Sequence, residues 1–150
     1  MKLRFILPFL YVILCWLPGF SQDKLAVEPL FSGRYNKNDK AVVVLIKGKK
    51  LEPYGLSLFH SITVKDSPED IARFCRFTME DSGRAVNSQL IKSEDDIVAA
   101  YFQYSPVRPG HKDPNRFVLF RRIAPDEATL IYLEGATDLD SLIRIFINKK

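Results

Sequence analysis

The sequence predicts an α+β fold, a two-layer sandwich in which a mainly antiparallel sheet of about five or six strands carries two helices on one face. Two observations predict it. Apolar and β-branched stretches follow one another in hairpin-linked runs instead of alternating with helices. Only two segments combine a capping residue with an apolar stripe at helical spacing. The predicted order is β-β-α-β-β-β-β-α.

The elements read as follows. Gln22 to Lys40 is a lead-in, where Val27, Leu30 and Phe31 have the i, i+3, i+4 spacing of one docked helical turn. Ala41 to Lys47 is β-branched and apolar on both faces, so a central strand is expected. Gly48-Lys49-Lys50 and Pro53-Tyr54-Gly55 are turn chemistry. Ser57 to Lys65 alternates, with Leu58, His60, Ile62 and Val64 on one side. Ser67-Pro68-Glu69-Asp70 starts a helix that runs to about Asp81, with Ser67 as cap and Ile71, Phe74, Cys75 and Thr78 on one face. Strands follow at Val86–Lys92, Ile97–Tyr104, Phe117–Arg122 and Thr129–Glu134. Thr137 caps a last helix striped by Leu139, Leu142, Ile143 and Phe146.

Residues 1–21 read as a secretory signal peptide. Lys2 and Arg4 form a basic start, Phe5 to Leu17 an apolar run of 13 residues, and Gly19-Phe20-Ser21 a small-residue cleavage site, with the cut expected after Ser21. Thirteen residues are too few to span a bilayer, which takes about 20. Lipidation at Cys15 is disfavoured because the large Leu14 precedes it. Residues 22–150 then form one domain. Losing Lys2 and Arg4 leaves 20 basic against 18 acidic side chains, no electrostatic footprint for nucleic acid. Cys75 is the remaining thiol, so no internal disulfide is expected and the core alone must hold the domain.

Leu30-Phe31, the apolar strand Val42–Ile46, Leu58-Phe59-His60-Ser61 and Leu130-Ile131-Tyr132-Leu133-Glu134-Gly135 before a capped helix together resemble a family of small exported proteins of unknown function from Bacteroides-type bacteria. The leader ending Phe20-Ser21-Gln22 is similar to leaders of that group. The resemblance implies one α+β domain in the periplasm or at the cell surface of a Gram-negative bacterium. It transfers no activity and no functional residue.

The constellations that carry chemistry are few. Cys75 and His60 share the apolar sides of neighbouring elements, and a thiol beside an imidazole becomes a nucleophile. Against this, a free cysteine behaves as a small hydrophobe, and no glycine-rich turn surrounds it. His60 and His111 are too far apart in sequence to suggest a metal site, and Glu94-Asp95-Asp96, Asp138 and Asp140 hold turn and cap positions. No phosphate-binding glycine motif is present, so no cofactor is expected. Glu134, at a strand end, is the one mild carboxylate candidate. Arg116, Arg121 and Arg122 flank an aromatic strand, and Ser105 to Pro114 is a long loop of the kind that often carries function.

The reading these features favour is a non-enzymatic exported domain that binds a protein or small ligand of the cell envelope. Its expected surface is the sheet face opposite the helices, with Tyr101, Phe120, Arg122 and Tyr132 as binding residues, because the sheet carries more aromatics than one helical layer can bury. The alternatives are a thiol-dependent hydrolase or transferase using Cys75 and His60, and a structural envelope subunit that pairs through a sheet edge.

Overall fold

The computed structural model describes residues 24–108 and 112–146. The expected leader and His111 lie outside them. Six strands form one antiparallel sheet: β1 (Ala41–Lys47), β2 (Leu56–Lys65), β3 (Asn87–Ser93), β4 (Asp96–Tyr104), β5 (Asn115–Ala124) and β6 (Glu127–Gly135). Their spatial order is β1-β2-β6-β5-β4-β3. Helix α1 (Pro68–Glu80) connects β2 to β3, and α2 (Leu139–Phe146) follows β6. The α+β class and the antiparallel sheet are as the sequence predicts.

Strand register sorts the core into two parts. On the first face, Ile62 of β2 lies beside Leu130 of β6, which lies beside Phe120 of β5, which lies beside Ala100 of β4. These residues join Ile71 and Phe74 of α1 and Leu25, Val27, Leu30 and Tyr35 of the lead-in in one buried cluster. The alternate residues Phe117, Leu119, Leu133 and Tyr101 turn to the second face, where Leu139 and Leu142 of α2 and Leu51 cover them.

The two helices therefore lie on opposite faces, which corrects the expectation that both share one. Strands β4, β5 and β6 are apolar on both sides. The short α1 stripe and the lead-in fill only the first side, so exposing the second would leave Phe117, Leu119 and Leu133 in water. Burying a large apolar side chain is worth about 1.5–3 kcal/mol, which is the force that draws α2 across the second face.

Strand β1 is also displaced from its expected place. It ends the sheet instead of sitting within it, and Val42, Val44 and Leu45 are 64%, 39% and 53% exposed. A run apolar on both sides satisfies a central strand and an exposed edge alike, so composition does not separate the two.

The connections follow the local chemistry. The β1–β2 link is a 3-10 turn over Lys49–Tyr54 that closes on Gly55 in the left-handed region (φ 69°) and sinks Leu51 into the second core. Ser67 precedes α1 without bonding a backbone amide. Its hydroxyl instead donates to Asp70 Oδ2 at 2.6 Å. At α2 the cap is Asp138 and not Thr137: Asp138 Oδ1 accepts the Ser141 amide at 2.8 Å. That bond, the largest influence on it, holds the Asp138 carboxyl below its ordinary range. No described helix is long and apolar enough to cross a membrane.

Candidate functional site

The four expected binding residues do not form a surface. Phe120 and Tyr132 point to the first face and Tyr101 to the second. Their exposures are 0%, 8% and 2%. The surplus of sheet aromatics is real, but two covered faces absorb it. Burial, then a 2.8 Å hydrogen bond to Glu134, pushes the Tyr132 hydroxyl far above its usual pKa. Glu134, the mild catalytic candidate, thus serves as the acceptor for a buried phenol. Arg122 packs on the first face, and its Nε is buried with no hydrogen-bond partner among the described residues. Arg116 is buried and donates through Nε to the Ser105 carbonyl at 3.0 Å. None of Arg116, Arg121 and Arg122 marks a sheet edge, because β5 lies between β4 and β6.

His60 and Cys75 are not brought together. The His60 ring lies 4.7 Å from the Phe31 ring, and its cross-strand neighbours are Leu45 and Tyr132. Burial, and then the Lys47 charge, lower its pKa. Cys75 lies beyond, where burial raises its thiol and the charges acting on it are Arg122 and Asp96. Arg122 is aligned through Ala128 with Val64. His60 is four residues from Val64 and two strands from β5, a separation of about 16 Å at ~3.3 Å per residue and ~4.8 Å per strand. The thiol is raised and the imidazole distant, the reverse of an activated pair.

Two of the clefts among the described residues are well formed. One, of about 490 Å³, lies at the sheet end among Glu52, Leu56, Ser57, Lys112, Asp113 and Asn115. The described part of the Ser105–Pro114 loop beside it is clamped by Arg108, whose guanidinium meets both Asp113 oxygens at 3.0 and 3.1 Å. Residues 109–111 of that loop lie outside the described residues. The other cleft, of about 680 Å³, runs between the lead-in and β1, lined by Phe31, Tyr35, Asn36, Val43, Leu45 and His60 among others.

The second cleft has a built wall. Tyr35 donates to Asp70 Oδ1 at 2.8 Å, and Arg73 donates to the same oxygen at 2.7 Å. Burial opposes ionisation of Asp70, but the bonds from Ser67 and Tyr35 and the Arg73 charge outweigh it and hold the carboxyl below its ordinary range. Tyr35 also stacks edge-on against Phe74 at 5.3 Å. The lead-in is thereby fastened to α1 while its Phe31 leans over His60.

The floor of this cleft is the β1 edge. The Lys65 amide bonds the Lys40 carbonyl at 2.9 Å. Antiparallel alternation then directs the backbone groups of Val42, Val44 and Ile46 to β2 and those of Val43, Leu45 and Lys47 outward. Among the described residues, no other strand of the sheet lies on that side. Ala41 through Ile46 carries no charge. The opposite edge, β3, is exposed along its whole length but bears Gln89 and Lys92 and is broken by a bulge after Ile91, the usual devices that protect an edge. The sequence reading missed the β1 edge because it placed this strand inside the sheet. Its signal was the charge-free run next to a turn rich in lysine.

The model of a family of unknown function, DUF6108, matches residues 14–146. The chain belongs to that family. No curated protein matches it. DUF6108 membership carries no activity to the site, so the function rests on the geometry of the β1 edge and its cleft. Among the described residues no group of three or more His, Cys, Asp or Glu side chains is placed to hold a metal ion.

Proposed function

We propose that this DUF6108 protein is a non-enzymatic interaction module of the cell envelope that docks a partner protein as an extended strand along β1. The observation that carries the reading is the open edge: a strand without charge from Ala41 through Ile46, with three exposed large apolar residues, flanked by a preformed cleft. Strand addition uses such a surface directly. Main-chain bonds to Val43 and Leu45 supply affinity, and alternate side chains of the added strand enter the cleft at His60, Phe31 and Tyr35. The sheet-face surface expected from the sequence gives way to the sheet margin at β1. Export rests on the basic, apolar and small-residue order of residues 1–21.

The test is photo-crosslinking in the cells that make the protein. A photoreactive residue at Leu45 is expected to give a discrete adduct, and one at the equally exposed Ile123 is not. Adding Val43→Pro, which removes one outward amide from an edge position that tolerates proline, is expected to abolish the adduct. Equal labelling at both positions, or an adduct indifferent to the proline, overturns the reading.

A further inference from the structure

We infer that the cleft between the lead-in and β1 is a binding site for an uncharged saccharide, with a pyranose ring seated against Phe31 and hydrogen-bonded by Asn36, His60 and the outward backbone groups of Val43 and Leu45. The inference goes beyond the docking reading and does not rest on it. The chemistry of the lining carries it. In a chain where 27% of residues are charged, no Asp, Glu, Lys or Arg lines this cleft of about 680 Å³. The cleft at the sheet end, by contrast, is lined by Glu52, Lys112 and Asp113. Small-molecule sites are typically clefts of roughly 300–1,000 Å³ with a few well-placed polar groups.

The polar groups on its walls are neutral and both donate and accept. The Asn36 side-chain amide and the His60 ring each offer a donor and an acceptor, and neither is hydrogen-bonded among the described residues. Burial, and then the Lys47 charge, keep the His60 ring neutral at neutral pH. The Ser32 hydroxyl donates to the Pro29 carbonyl at 2.7 Å and keeps its lone pairs as acceptors. The backbone of Val43 and Leu45 adds further N–H and C=O groups. A sugar hydroxyl donates and accepts at once, so this mixture matches a rim of hydroxyls. An anion entering the cleft meets no cation and a cation no carboxylate, and an unpaired charge is costly to desolvate. The Tyr35 ring is buried, so Phe31 supplies the aromatic face, whose negative π-system attracts the polarised C–H groups of a pyranose.

The walls are preformed. The Phe31 ring is held against His60 at 4.7 Å and against Tyr132 at 6.0 Å. The turn that carries Asn36 is closed by its own amide on the Gly33 carbonyl at 3.2 Å, with Gly33 at φ 99°. Tyr35 ties the same turn to Asp70. A site ordered before the ligand arrives loses less entropy on binding.

Amide NMR of the isotope-labelled protein tests this. The neutral probes are glucose, galactose and mannose, and the charged counterparts are glucuronate and glucosamine. At least one neutral sugar is expected to shift the amides of Ser32, Asn36, Val43 and Leu45 saturably, while the charged counterparts leave them in place. Asn36→Ala, at an exposed turn position, should weaken binding about tenfold with an unchanged circular dichroism spectrum, the loss of one or two hydrogen bonds. Phe31→Leu keeps the apolar packing but removes the ring, and should weaken it too. No saturable shift with any of the three neutral sugars overturns the inference. So do equal shifts with the charged counterparts, shifts confined to the cleft at the sheet end, or binding indifferent to Asn36→Ala. Sugar binding without a Leu45 adduct leaves this inference standing while the docking reading falls, and an adduct without sugar binding does the reverse.

Discussion

At the scale of single residues, His60 and Cys75 respond to burial in opposite formal directions and for one reason: the charged form of each is disfavoured. For His60 the folded pKa lies below the unfolded value of about 6.5, so the unfolded chain binds more protons below that pH. Stability is therefore complete above about pH 6.5 and declines as pH falls below it. Thermal melts from pH 8 to 5 should show this decline, and His60→Gln should flatten it. The slope belongs to another group if His60→Gln leaves it unchanged. For Cys75, the native thiol should react with a thiol reagent far more slowly than in urea, with a midpoint above the free value of about 8.5. Fast native labelling near neutral pH would restore the thiol-enzyme alternative.

At the scale of elements, the tether between the lead-in and α1 concentrates in one carboxylate. Asp70 accepts from Ser67, Tyr35 and Arg73. Asp70→Asn keeps the shape but removes the charge, and should cost about 1.5–3 kcal/mol in urea denaturation at pH 7. Because the native carboxyl is held below its ordinary range, the difference from wild type should persist at neutral pH. It should shrink as acid protonates the native group. A second element-scale constraint sits where β6 meets the β1–β2 link. A Cβ on Gly135 would press into the Gly55 carbonyl oxygen and come within 2.9 Å of Leu56 Cα. Both are backbone atoms, and the Ala136 amide already bonds that Gly55 carbonyl at 3.0 Å. Gly135→Ala should therefore destabilise the fold by about 1–3 kcal/mol, the range of overpacking. An unchanged melting temperature would show that the two segments separate freely.

At the scale of the whole molecule, one sheet serves two cores. Phe120 and Leu130 face the first, Phe117 and Leu133 the second, and they alternate along the same strands. Removing α2's contribution by Leu142→Ala should cost about 2–5 kcal/mol. Unfolding should stay a single transition by fluorescence and circular dichroism, because neither core survives separation of β5 from β6. Two resolved transitions would mean that the faces melt independently.

The strands, the two helices and their order were legible in the residues, down to the inward set Leu58, Ile62 and Val64, because side-chain alternation and helical spacing are local properties. Local chemistry also determined that Ile71, Phe74, Leu139 and Leu142 would be the buried stripes. It did not determine which face each helix covers. That depends on the summed apolar demand of β4, β5 and β6, which exists only once their register is set. Nor did it place β1 at the margin, since Ala41–Ile46 reads the same whether one neighbour or two lie beside it. The candidate site was hidden for that reason: an edge is a property of strand order, and strand order is decided by long-range pairing and not by any segment alone.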